Sequence, residues 1–177
     1  MTLIARNGFG AMSLRDLARA SGLQVGSVYA HYKSKNSLLL EVLVDHLEEL
    51  ISAWQENDCR KKGPKLRLSA FVTTYVEFHA ANAEQCVILE SDTRSLDDEG
   101  RETVAALQAQ YENQLAAILR EGVRTGVFLV PDLAFSVTTL LSMLRGICHR
   151  YCSDPQHGVG HVVSHATMMA FAIAGAR

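Results

Sequence analysis

An all-α fold is what this sequence predicts, and three observations predict it. Apolar residues recur three and four positions apart over most of the chain, the spacing that gathers them on one helix face. No stretch alternates apolar and polar residues as a half-buried strand does. Glycines, prolines and short polar caps fall between the periodic segments, where helices start and stop.

Taken in order, the first helix is short, Thr2 to Arg6, and ends at Asn7-Gly8. The second opens with Ser13 as N-cap and Asp16 three positions on, a capping box that also places an anion at the positive helix end. Leu14, Leu17 and Ala18 give it an apolar face, and Ser21-Gly22 stops it. A third segment runs from Gln24 to His31. A long helix capped by Ser34 follows, with Leu38, Leu39, Val42, Leu43, Leu47, Leu50, Ile51 and Trp54 on one side.

Asn57 to Lys65, charged and containing Gly63-Pro64, reads as a linker. The domain boundary is placed just before it, with residues 1–50 as one domain and 51–177 as the other. Beyond it, Leu68, Phe71, Val72, Tyr75, Val76 and His79 mark a helix, and Gln85 to Ser91 a shorter one. Asp97 to Gly100 starts a long helix that ends near Gly126, with Val104, Leu107, Tyr111, Leu115, Ile118, Leu119 and Val123 on one face. Pro131 is expected in the first turn of the next helix, which carries Leu140, Leu141, Leu144 and Ile147 and breaks at Asp154-Pro155. The last helix spans Val159 to Ala174.

Charge is distributed unevenly. Residues 1–35 carry five cations against one acid, whereas the rest of the chain holds twelve basic and eighteen acidic residues. A positive head on an acidic body suits a module that binds a polyanion, although chance clustering gives the same count. The longest apolar runs, Val123–Pro131 and Ala166–Ala174, fall short of the roughly 18 residues a membrane span requires, and no charged leader precedes an apolar stretch at Met1. The expectation is a cytoplasmic protein. Cys59, Cys86, Cys148 and Cys152 form no CxxC pair and are expected to be reduced thiols.

Two short helices about Gly22 are what a helix-turn-helix needs, because glycine permits the tight turn and small residues let the second helix enter a groove. The pattern alone also fits a purely structural helical pair. Residues 8–39 are more specific. They read Gly8-Phe9-Gly10, then Ser13-Leu14-Arg15-Asp16-Leu17-Ala18, then Ser21-Gly22-Leu23-Gln24-Val25-Gly26-Ser27-Val28-Tyr29-Ala30-His31-Tyr32-Lys33-Ser34-Lys35-Asn36-Ser37-Leu38-Leu39. This stretch resembles the DNA-binding region of the TetR family, which typically reads GxxxxS/TxRxIA and then GVSxGxLYxHFxSKExLL. Gln24 stands where a serine usually caps the recognition helix, Tyr32 replaces Phe, and Asn36 replaces Glu.

The resemblance implies a three-helix head that grips a palindromic double-stranded operator and a larger helical domain that dimerises through its last two helices and senses a small molecule. The chemistry of the positions agrees with it. Arg15 and Lys35 can neutralise phosphates, Ser13 and its helix start can donate hydrogen bonds to them, and Tyr29 and His31 add further donors. Gln24 and Ser27, with the small Val25 and Gly26, are expected to face base edges. Plainer readings stand beside these: Ser13 as a cap only, Tyr29 as core, Arg15 as a solvated charge. Family members usually begin the first helix about two turns earlier, so the expectation is a shortened buttress, through a misplaced start or a frayed head. The alternative this opens is a helical dimer that has lost DNA binding.

Leu89 to Tyr151 is similar to the C-terminal domains of family regulators of fatty-acid and sterol catabolism, many of which respond to acyl-CoA thioesters. The matching elements are Glu90, Arg94, the LDDEGRETV stretch, Tyr111-Glu112, the Glu121-Gly122 and Gly126-Val127-Phe128 turn, Asp132, and Leu144-Arg145-Gly146. Where those regulators often carry Trp-Tyr, this chain has His149-Arg150-Tyr151. Phe71, Tyr75, Phe78, His79, Tyr111 and Met143 can line an apolar effector pocket, with Arg94 meeting an anionic group, or they can be an ordinary core stripe.

A metal-responsive regulator is the other alternative, because His157, His161 and His165 repeat every four residues, as do Cys148 and Cys152. Neither spacing forms a recognised zinc pattern, and the resemblance implies that both helices lie in the dimer interface, so the histidines are read as interface residues and no metal or cofactor is assigned. No nucleophile elbow, phosphate-binding glycine loop or HExxH occurs, and no catalytic residue is expected.

Overall fold

The structure, a computed structural model, describes residues 13–20, 22, 24–151 and 158–176, apart from the side chains of Leu17, Ala20 and Glu90. The expected helix Thr2–Arg6 and the positions Cys152, Asp154-Pro155 and His157 lie outside the described residues. Among those described, eight α-helices and one 3-10 turn dominate, and there is no strand. The helices are α1 (Leu14–Ala20), α2 (Val25–His31), α3 (Lys35–Asn57), α4 (Pro64–Ala81), α5 (Ala83–Asp92), α6 (Asp98–Arg124), α7 (Leu133–Tyr151) and α8 (Val159–Ile173), with the 3-10 turn at Thr93–Ser95. No helix among the described residues is long and apolar enough to cross a membrane.

Local chemistry sets the helix ends. The capping box at α1 forms as its spacing predicts: Ser13 Oγ accepts from the Asp16 N–H at 3.2 Å, and Asp16 Oδ2 accepts from the Ser13 N–H at 3.0 Å. These bonds hold the Asp16 carboxyl below its ordinary pKa. Ser34 and Ser37 exchange the same pair of bonds at the start of α3. Pro131 does not open α7. The helix begins two residues later, where Asp132 Oδ1 accepts from the Phe135 N–H at 2.9 Å, so a side-chain cap outcompetes the proline position. Gly122 is required by packing, since a Cβ there would lie 1.9 Å from the Phe128 ring.

The chain forms two compact units, Met1–Glu48 with Glu84–Leu107, and Glu49–Ala83 with Gln108–Arg177. The first packs Leu14, Ala18, Val28, Leu39, Leu43 and Leu47 together with Ile88, Leu96 and Val104. In the second, α4 packs on α8 and α7, and α8 packs on α7. Val162, Ala166 and Ala170 form the buried face of α8, small side chains that let helices approach closely.

His46 belongs to the first unit and is 2% exposed, with Nε2 4.0 Å from Cys86 Sγ. Burial lowers its pKa from 6.5 to about 4. Between those values only the unfolded chain takes up this proton, so the stability His46 contributes is complete above pH 6.5 and is lost as pH falls towards 4. The loss across that window is on the order of 3 kcal/mol. Urea unfolding at pH 7.5 and pH 4.5 is expected to show this loss in the native chain and a smaller one in His46→Gln; equal losses would exclude His46 as the source.

Candidate nucleic-acid interface and sensor cluster

The turn between α1 and α2 depends on Gly22, whose φ of +67° lies in the left-handed region that side chains rarely adopt. Its N–H donates to the Arg19 carbonyl at 3.2 Å, closing α1. α2 then packs on α1 through Val28, its one buried residue, with Val25 half-buried against the same core. Everything else on α2 faces outward: Gly26, Ser27, Ala30 and His31 are exposed, and Tyr29 is 53% exposed. Gln24 occupies the N-cap in extended conformation and makes no side-chain cap bond, so its amide is not engaged by its own helix. That follows from its length, because a glutamine reaches past the N–H groups that a serine would cap.

Arg15 is exposed on α1, and Lys35 is half-buried at the start of α3. Ser13 Oγ is occupied with Asp16, which favours its capping role. Tyr32 closes α2, its N–H donating to the Val28 carbonyl at 2.9 Å and its hydroxyl to Glu41 Oε1 at 2.7 Å on α3. That second bond is one a phenylalanine could not make, so this departure from the family pattern ties the end of α2 to the next helix.

In the second unit, five of the residues singled out for an effector site come together as rings. Phe71 and Tyr111 have centroids 4.9 Å apart, Tyr75 and Tyr111 6.1 Å, and Tyr75 stacks on His79 at 3.9 Å. Phe78 meets His79 edge-on at 5.7 Å. Phe71, Tyr75, His79 and Tyr111 are all buried, while Met143 on α7 is half-buried. Arg94 is exposed in the 3-10 turn and belongs to the other compact unit. His79 Nδ1 lies 2.8 Å from the Tyr75 carbonyl, which can only accept, so Nδ1 carries the proton.

The Tyr111 hydroxyl is buried and has no hydrogen-bond partner among the described residues. Burial, with Tyr75 and Cys148 nearby, keeps its pKa well above the ordinary value, so it remains a donor without an acceptor. Tyr111→Phe is therefore expected to stabilise the unliganded protein by about 1 kcal/mol, seen as a higher Tm, because the substitution removes a desolvated polar atom and keeps the ring. A lower Tm would reveal an acceptor in solution.

Sequence reasoning missed the strongest polar assembly of this unit. Arg67, 8% exposed, donates from Nε and Nη2 to Asp58 Oδ1 and Oδ2 at 2.8 and 2.9 Å, and from Nη1 to Glu121 Oε2 at 2.6 Å. Asp58 sits in the stretch read as a linker, and no local pattern announces its partner. Of the described cysteines, Cys59 and Cys86 are half-buried and Cys148 is buried, and none of the three is in a disulfide.

Comparison with known proteins supplies the frame for both sites. Residues 1–42 match the family described as bacterial regulatory proteins, tetR family, and residues 61–175 match the tetracyclin repressor-like C-terminal domain. The HTH-type transcriptional repressor KstR2 of Rhodococcus jostii is 30% identical over 128 residues, 72% of this chain and 63% of that protein. The chain thus spans somewhat less than two thirds of that relative's length. The solved structure of the regulator PfmR from Thermus thermophilus is 29% identical, with a TM-score of 0.86 over 98% of this chain and 93% of that one. FadR from Bacillus subtilis, solved in complex with stearoyl-CoA, shares the fold at 18% identity, with a TM-score of 0.79 over 97% of this chain and 91% of that one.

Proposed function

Because the chain belongs to the TetR family of bacterial regulatory proteins, we propose that it is a cytoplasmic, ligand-responsive transcriptional repressor and not an enzyme. The observation that carries the reading is the outward face of α2. It is a short helix anchored by one buried valine, presenting Gln24, Gly26, Ser27, Tyr29 and His31, with Arg15 on the helix before it and Lys35 on the helix after it. Residues 1–50 form the DNA-binding part and residues 51–177 the sensing and dimerising part.

Base edges are read by Gln24, Val25, Gly26 and Ser27, since glutamine bonds adenine bidentately and valine contacts a thymine methyl. Arg15, Lys35, Tyr29, His31 and the Ser13 helix start hold the backbone phosphates and set the register. Two copies pair through α7 and α8, whose exposed Phe135, Met168 and Met169 support the assignment, so that two recognition helices meet half-sites one DNA turn apart. The effector is lipophilic and acyl-CoA-like. It contacts Phe71, Tyr75, Phe78, His79, Tyr111 and Met143 of the second unit, and the stearoyl-CoA complex of FadR supports that choice. It binds more tightly to a dimer whose helices no longer match the operator spacing, and by linkage it weakens DNA binding.

Selection of duplexes from random sequence by the full chain tests the reading. A palindrome is expected to emerge whose affinity falls steeply with salt, and stearoyl-CoA is expected to release it, less effectively from Tyr111→Phe. Recovery of no salt-sensitive preference would sink the DNA assignment. Release that is absent with a range of acyl-CoA thioesters would sink the effector class alone.

A further inference from the structure

Tyr111 differs from the other rings of the sensor cluster in what the end of its side chain does. The residue is 4% exposed, and its hydroxyl meets no hydrogen-bond partner among the described residues. The ring is held by Phe71 at 4.9 Å and Tyr75 at 6.1 Å, both on α4. Buried polar groups in native folds are nearly always paired, so a donor left over in the middle of an aromatic cluster calls for an acceptor from outside the chain.

The surroundings say what kind of acceptor fits. Tyr75 and Cys148 are the titratable groups that bear on the hydroxyl, and neither ever becomes a cation. Arg67, buried on the same helix as Tyr75, is already engaged by Asp58 and Glu121. His79 gives its Nδ1 proton to the Tyr75 carbonyl. A carboxylate would therefore enter this cluster without a counter-ion, and desolvation opposes that. A thioether sulfur accepts only weakly. A neutral carbonyl accepts the bond and brings no charge.

We propose, resting on the acyl-thioester reading above, that the Tyr111 hydroxyl donates a hydrogen bond to the carbonyl oxygen of the bound thioester and makes Tyr111 a specificity-determining residue for that group. The same bond biases the conformational balance. The closed cluster keeps its orphan donor and the liganded one does not, so an effector with a carbonyl at this depth favours the liganded arrangement more than one without it.

The test compares stearoyl-CoA with its octadecyl thioether, which keeps the chain and the coenzyme and lacks only the carbonyl, by calorimetric titration of the full chain and of Tyr111→Phe. The native chain is expected to bind the thioester about tenfold more tightly than the thioether, and Tyr111→Phe to erase that preference by weakening the thioester alone. Infrared spectra of stearoyl-CoA with an isotope-labelled thioester carbonyl add a readout that packing alone does not move: the stretch is expected to fall in frequency on binding to the native chain and to fall less in the variant. Equal affinities for the two ligands in the native chain, or a preference that survives in Tyr111→Phe, overturn this inference and leave the acyl-CoA reading standing. Binding of neither ligand by the native chain removes that reading, and this inference with it.

Discussion

Replacing Gly26 with glutamate is expected to weaken operator binding by about a hundredfold or more while leaving Tm unchanged or slightly raised. Nothing lies within 4 Å of a Cβ built at Gly26, so a side chain there meets no part of the protein. A glycine inside a helix is also about 1 kcal/mol less favourable than a good helix former, which offsets any local loss. On the proposed reading, the same substitution places bulk on the face that enters the groove and sets a carboxylate among phosphates and base acceptors. Each of those effects opposes binding by an amount comparable to a base contact, roughly 1–3 kcal/mol. Fluorescence anisotropy with the selected duplex at several salt concentrations measures the outcome. Arg15→Ala provides the contrast, with a moderate loss across all sequences and a salt slope smaller by about one. If Gly26→Glu bound the duplex like the native chain, α2 would not be the reading helix.

The largest effect on stability is expected at Arg67. Its guanidinium is held in bidentate contact with Asp58, both side chains being 9% exposed, and it reaches Glu121, which is 31% exposed. Arg67→Met removes the cation and strands the Asp58 carboxylate away from water, a situation that typically costs 3–5 kcal/mol. Glu121 adds little, since water screens it. For a chain of this size the change corresponds to a fall in Tm of roughly 6–20 °C. The companion variant, Arg67→Met with Asp58→Leu, is expected to recover much of the loss, because replacing a whole buried ion pair by apolar groups is often close to neutral. A single variant within about 1 kcal/mol of the native chain would show that the pair is solvated in solution.

How far the fold was legible depends on the range of the interactions concerned. The capping box of Ser13 and Asp16, the Gly22 turn and the long amphipathic helix through Trp54 all follow from residues a few positions apart, and all are found as expected. Pro131 was misleading because two start signals competed within three residues, and only the bond from Phe135 to Asp132 decides between them. The salt bridge of Arg67 was invisible for a different reason. A charged stretch in a sequence is normally solvated, and Glu121 lies 54 positions from its partner. The packing of Ile88, Leu96 and Val104 with the core of the N-terminal helices was equally unreadable, since periodicity says which face is apolar and not what covers it. In the candidate sensor, the spacing of Phe71, Tyr75 and His79 foretold a shared stripe, but it did not foretell that Tyr111 would bring a hydroxyl into it without an acceptor.

The second helix of the head is attached to its neighbours by few side chains, the buried Val28, the half-buried Val25 and the Tyr32 hydroxyl on Glu41. The vocabulary written on its outer surface can therefore change without the scaffold noticing. On the proposed reading, substitutions at solvent-facing positions of this helix change the DNA sequence addressed without requiring a compensating repair inside the protein.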